Sequence, residues 1–154
     1  MIFNGGKGRA VELYKQIKAG NPANSAFIVV MLKVGEADAT LEDRANLSEV
    51  FGGANTEADF TNYARIVWAA GDLAALPPSN NTSNRYELDF PDISIPSAGG
   101  GVDNTMTNIL LCYDPDTTGG TDADIETIAS FPYTEVTSGS TIGVQFPVDA
   151  FYAA

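Results

Sequence analysis

The stretch Ala26–Leu32 is an unbroken run of apolar residues, continuing through Lys33 to Val34, and much of it is β-branched. Such a run is far short of the roughly 20 residues a membrane helix needs. It reads instead as a central, buried β-strand. Residues 106–113, which end in Asn108-Ile109-Leu110-Leu111-Cys112-Tyr113, predict a second fully buried strand. A chain built on two such strands must cover them.

The other segments supply shorter, half-buried strands. Residues 63–68 predict a strand that carries Arg65 either among apolar neighbours or on the opposite face. Tyr86-Glu87-Leu88-Asp89-Phe90 alternates apolar and acidic residues, and Ile93 and Ile95 continue the alternation. Residues 125–133 predict a further strand. Ile142, Val144, Phe146 and Val148 alternate with Gly143, Gln145 and Pro147, and the proline marks an edge strand or its end. Two segments read as helical. Over residues 5–19, Ala10, Leu13, Tyr14 and Ile17 form one apolar stripe, with Asn4 as a start cap and Gly20 at the stop. Residues 40–51 predict one short inserted helix, with Thr40 and Asp43 at capping-box spacing and Gly52-Gly53 at its end. About seven short strands after one helix, at spacings too short for βαβ crossovers, predict a mainly β fold. The expected architecture is an antiparallel jelly-roll-like sandwich with an N-terminal α-helix and one short inserted helix. Residues 1–22 would form an arm and helix, and 23–154 a single sandwich domain.

Composition narrows the function. The 154 residues hold 20 acidic and 8 basic side chains, a net charge of −12, no His and one Cys. A missing His removes the commonest general base and metal ligand. One Cys leaves no internal disulfide. The acidic balance argues against nucleic-acid and anionic-membrane partners. Residues 1–20 are mixed and amphipathic, unlike a secretory signal, so the sequons at Asn46, Asn80 and Asn81 are not expected to be used. Charge is uneven along the chain. Lys7, Arg9, Lys15 and Lys18 against Glu12 leave residues 5–19 at +3, so the remainder of a −12 chain carries −15.

Few motifs carry chemistry. In the stretch from Asp114 to Glu126, Asp114, Asp116, Gly119 and Asp122 fall at positions 1, 3, 6 and 9 of an EF-hand-like loop. Thr118 and Ile125 break the pattern at positions 5 and 12, and the flanks read as strands. A turn rich in Asx residues explains the loop better, with Asp114, Asp116 and Asp122 as a weak Ca²⁺ candidate. Cys112 has no base to activate it and reads as a small apolar filler. The acidic pairs Glu36/Asp38, Glu42/Asp43 and Asp122/Asp124 show no sign of converging as a glycosidase pair and read as solvated loops. Gly5-Gly6-Lys7-Gly8 lacks the Walker spacing and a preceding strand. No nucleophile–base pair is visible.

The succession of these segments resembles a family of small structural proteins of tailed bacteriophages. The likeness lies in the N-terminal helix, the strand Ala26-Phe27-Ile28-Val29-Val30-Met31-Leu32-Lys33-Val34 and the segment Glu36-Ala37-Asp38-Ala39-Thr40-Leu41-Glu42-Asp43. It continues through Asn62-Tyr63-Ala64-Arg65, the strand-loop Leu110-Leu111-Cys112-Tyr113-Asp114-Pro115-Asp116, and a Gly-rich hairpin before the last strand. It covers most of the chain from about residue 8 onward. The resemblance implies a non-enzymatic virion protein, a capsid decoration or cement protein without cofactor or catalytic residues. It would sit on the capsid exterior after assembly in the host cytoplasm.

On this basis the expected partners are the major capsid protein and further copies of the chain, as a trimer or a dimer. The residues expected to make contact are Phe3, Lys7, Arg9, Tyr14, Lys15 and Lys18 in the basic N-terminal segment, and Phe151 and Tyr152 at the other end. For the stripe of Leu13, Tyr14 and Ile17, core packing and interchain contact both stay open. Two other functions compete: a tail or connector component, and a jelly-roll carbohydrate-binding module using an exposed Trp68 or Tyr63. Trp68 is expected to be buried.

Overall fold

The apolar run becomes β1 (Ala26–Val34), the central strand of a five-stranded antiparallel sheet in a computed structural model that describes residues 1–6, 8–76, 81–82, 86–146 and 151–153. β1 is followed along the chain by β2 (Thr56–Glu57) and β3 (Ile66–Trp68), which share its one side: β3 pairs with Phe27–Val29, and β2 with Leu32 and Val34. On the other side lies β6 (Asn108–Asp114), in register from Ala26↔Asp114 to Leu32↔Asn108, and beyond it β7 (Glu126–Pro132). Two smaller antiparallel pairs complete the β structure. They are β4 (Tyr86–Leu88) with β9 (Phe151–Ala153), and β5 (Ile93–Ala98) with β8 (Ser140–Val144). The helices are α1 (Ala10–Ala19), α2 (Asp38–Leu41) and α3 (Leu47–Gly52). The molecule is mainly β, with antiparallel sheets and a few short helices, consistent with a β-sandwich.

Successive residues of a strand point to opposite faces, and here both faces are covered. Phe27, Val29 and Met31 join a core with Leu13, Tyr14 and Ile17 of α1 and with Ile93, Ile95 and Ile142 of the β5–β8 pair. Ala26, Ile28, Val30 and Leu32 join a second core with Phe3, Leu41, Leu47, Val50 and Ile125. This double cover is why β1 carries no alternation. Phe27 sits among the rings of Tyr14, Phe90 and Tyr113, at centroid distances of 6.2, 5.3 and 6.5 Å. Residues 1–22 contribute to both cores, through Phe3 and through Ala10, Leu13, Tyr14 and Ile17.

Several local expectations are corrected by tertiary contacts. α1 starts at Ala10, not residue 5, and its N-cap Arg9 makes no side-chain cap bond. The reason is that residues 1–3 run along the outer edge of β7: the Phe3 amide donates to the Ile128 carbonyl at 3.0 Å, and the Ser130 amide to the Met1 carbonyl at 2.9 Å. Gly6 lies against this strand so closely that a Cβ there would fall 2.5 Å from the Ile128 carbonyl oxygen. The N-cap of α1 is thus Arg9 and not Asn4, whose Nδ2 donates to Asp43 Oδ1 at 2.7 Å. At the other end Gly20, at φ 63°, closes α1 with the bonds Gly20 N to Ile17 O and Asn21 N to Gln16 O, as a Schellman stop.

The single helix expected over 40–51 is two, α2 and α3. Ala45 and Asn46 are drawn out to pair with β7, through Thr127 N to Ala45 O and an Asn46↔Glu126 bridge. The working cap is then Asn46, whose side chain accepts from the Glu49 amide at 2.9 Å, and not Thr40. The short strand β2 was not expected, and β3 starts at Ile66 rather than Tyr63. Pro147 and Val148 lie outside the described residues.

Candidate functional site

A charged cluster surrounds Arg65, on the stretch leading into β3. Glu57 lies in β2 and Arg65 just before β3, the two strands that share one side of β1, and Asp122 reaches them from the loop between β6 and β7. The Arg65 guanidinium donates to Glu57 at 2.9 and 2.8 Å and to Asp122 at 2.5 and 3.1 Å. It also lies 5.7 Å from the centre of the Phe51 ring. Tyr63 extends the network: its hydroxyl donates to Glu57 at 2.9 Å and accepts from the Met31 amide at 3.1 Å. The hydrogen bonds that Arg65 donates to Glu57 and Asp122 hold it even more firmly protonated than usual, while burial raises the Tyr63 hydroxyl. A permanently charged guanidinium between two occupied carboxylates offers neither a base nor a nucleophile. It braces the sheet edge against the β6–β7 loop.

A second cluster is built on Glu36. Its carboxylate accepts from Arg44 at 3.2 and 2.8 Å, from the Ala54 amide at 3.1 Å and from Asn55 Nδ2 at 2.7 Å. Arg44 first, then these other donors, hold its carboxyl down at about 2. Lys33 pairs with Asp59 at 2.6 Å, and Asp59 also takes Asn104 Nδ2 at 2.8 Å. Among the described residues, no buried side-chain polar atom lacks a hydrogen-bond partner.

The contact set expected from the N-terminal segment does not form one surface. Phe3 and Tyr14 are fully buried in the two cores, so neither side chain can meet a partner. For Leu13, Tyr14 and Ile17 this decides the matter in favour of core packing, because an apolar stripe gains most by leaving water altogether. The Tyr14 hydroxyl donates to the carbonyls of Ala74 and Asp89, at 3.0 and 3.1 Å. Arg9 is paired with Glu126. Lys18 donates to the carbonyls of Ala70 and Leu73, at 2.8 and 2.9 Å. Lys15 is exposed. Lys7 lies outside the described residues. The backbone of Phe151 and Tyr152 pairs with Leu88 and Glu87 as part of β9.

The Asp-rich loop folds as turns. Asp114 accepts from the Asp116 amide at 2.9 Å, and Asp116 from the Thr118 amide and hydroxyl at 3.1 and 2.6 Å. Asp122 is engaged by Arg65. Among the described residues no three potential ligands converge, so Asp114, Asp116 and Asp122 do not form the Ca²⁺ site their spacing suggested. Cys112 is fully buried, and burial pushes its thiol up. Trp68 is buried at 4% exposure and stacks on Phe90 at 5.7 Å.

The ion-pair clusters were not anticipated as such. The signal for one was present: an arginine inside an apolar strand pattern needs a partner when half-buried. Which carboxylates would supply it is not legible in the sequence: Glu57 lies eight residues before Arg65, and Asp122 57 residues after it. No family model, no curated protein and no solved structure matches this chain.

Proposed function

We propose that this chain is a non-enzymatic structural protein of a tailed-phage virion, a capsid decoration protein that cements the shell as a homo-oligomer, with its sheets connected in a jelly-roll-like manner. The resemblance of its sequence segments to small phage structural proteins supports the setting. The observation that carries the structural role is the use of its charged side chains. Arg65 with Asp122, Arg9 with Glu126, and Lys33 with Asp59 tie together segments far apart in sequence, while Glu36–Arg44 and Glu57–Arg65 each close an interval of eight residues. Such cross-bracing suits a protein that must resist strain at the seams of a shell filled with DNA. It does not suit one that must move protons.

The acidic surface fits the same role, because it keeps particles dispersed and off the packaged genome. Repeated binding to a lattice of major capsid proteins multiplies modest contacts by avidity. The buried, stacked Trp68 weighs against the carbohydrate-binding alternative, which needs an exposed aromatic platform. The deciding experiment is the copy number of this chain in purified particles, by gel densitometry against the major capsid protein. A number approaching that of the capsid protein supports the reading. A far smaller number moves the chain to the tail or connector, and absence from the particle overturns the virion reading.

A further inference from the structure

On a chain of net charge −12, two copies repel each other overall, and a face without charge lowers that cost of meeting. The β5–β8 pair is such a place. Ile93-Ser94-Ile95-Pro96-Ser97-Ala98 and Ser140-Thr141-Ile142-Gly143-Val144 contain no ionisable side chain. The other sheets do: the large sheet carries Lys33, Glu57, Asp114 and Glu126, and β4 carries Glu87. Residues 136–148 form a run without a single charge. Of the carboxylates nearest in sequence, Asp149 lies outside the described residues and three others stand at its margins. Asp92 is taken by the Phe146 amide at 2.9 Å, Asp103 by the Gly100 amide at 2.6 Å, and Glu135 lines the groove described below.

The two strands of this pair differ at their free edges. β5 is blunted: Pro96 cannot donate, Ser97 adopts a φ of 51°, and the register slips between Ile95 and Ala98. β8 has none of these protections. Among the described residues it pairs only with β5, and it has neither charge nor proline. An unprotected strand edge is a template for another strand. A groove of about 340 Å³ runs along β8, lined among others by Tyr133, Val136, Thr137, Thr141 and Ile142. Val136, 58% exposed, offers apolar contact there. Among the described residues, β2 and β3 also have a free side in the large sheet, but they are only two and three residues long, β2 carries Glu57, and β3 follows directly on the charged Arg65.

We propose that β8 pairs edge to edge with β8 of a second copy of this chain, giving a four-stranded β5–β8–β8–β5 sheet across a two-fold axis. The pairing is isologous: the same neutral edge serves both copies, and the assembly closes as a dimer. The inference rests on the self-association in the function proposed above and names its surface.

Sedimentation velocity over a range of concentrations, with hydrogen exchange on the same full-length samples, tests it. The expected result is a monomer–dimer equilibrium in which amides of residues 140–144 exchange more slowly as concentration rises. Thr141→Asp puts like charges near each other across the axis and should weaken dimerisation by about tenfold or more. Ser94→Asp adds the same charge to the outward face of β5, away from the edge, and should weaken it much less. A chain that stays monomeric at the highest concentration, an exchange rate at 140–144 that ignores concentration, or equal effects of the two substitutions overturns the proposal. Particle copy number is measured separately, so a monomer that still coats the capsid refutes this surface and not the capsid role.

Discussion

Replacing Arg65 by alanine is the sharpest test of the cross-bracing argument. The guanidinium makes four hydrogen bonds to two carboxylates. Its side chain is 29% exposed, and those of Glu57 and Asp122 are 25% and 37% exposed. That places the cluster between two regimes. Exposed pairs contribute about 0–1 kcal/mol, and breaking a buried pair costs about 3–5 kcal/mol. At an effective dielectric near 20, unit charges about 4 Å apart attract by about 4 kcal/mol. Desolvation, and about 2 kcal/mol of arginine side-chain entropy, offset much of this. The contact with the Phe51 ring adds about 0.5–1 kcal/mol. We therefore expect Arg65→Ala to destabilise the fold by about 2–3 kcal/mol. Urea denaturation would show this as a midpoint lower by about 1–2 M at an unchanged slope. A double-mutant cycle with Asp122→Ala should give a coupling of about 1 kcal/mol or more. Arg65→Lys should recover less than half of the loss, because an ammonium cannot present two forks. A loss below about 0.5 kcal/mol, or a coupling near zero, refutes the brace and leaves the cluster as surface decoration.

Three further outcomes follow from other parts of the molecule. The Glu36 carboxyl is held at about 2 in the fold against 4.5 when free, so its contribution is complete above about pH 4.5 and is lost as the pH falls toward 2. Glu36→Gln should flatten the stability profile in that window, measured by urea midpoints at each pH; an unchanged slope there counts against the assignment. Gly6→Ala forces a Cβ to within 2.5 Å of the Ile128 carbonyl oxygen. The strand at residues 1–3 should lift and pull Phe3 from its core, at a cost of about 2–3 kcal/mol in thermal or urea unfolding, and a neutral variant would show that the close approach relaxes freely. Cys112 is fully buried with its thiol pushed up, so a thiol reagent should label it only at the rate of unfolding; rapid labelling of the native protein would contradict its place in the core.

Periodicity alone established the parts of this protein that rest on local physics. The unbroken run from Ala26 announced a central strand, because only a strand covered on both faces can omit polar residues. The stripe of Ala10, Leu13, Tyr14 and Ile17, and Gly20 after it, marked a helix and its stop. The missing His and the single buried Cys112 narrowed the available chemistry before any coordinates. What the sequence could not decide depended on pairings between distant segments. Residues 1–3 and Ala45-Asn46 are recruited to the edge of β7, which shortens α1 and splits the inserted helix in two. Phe3 and Tyr14 looked like contact residues because an amphipathic stripe reads the same whether its own core or another chain covers it; only the packing distinguishes the two. Likewise Asp114, Asp116 and Asp122 have suggestive spacing, but among the described residues no three ligands converge, and Asp122 pairs with Arg65. An ion pair is set by where two side chains arrive in space, and the linear order of residues does not encode that until the sheet brings them together.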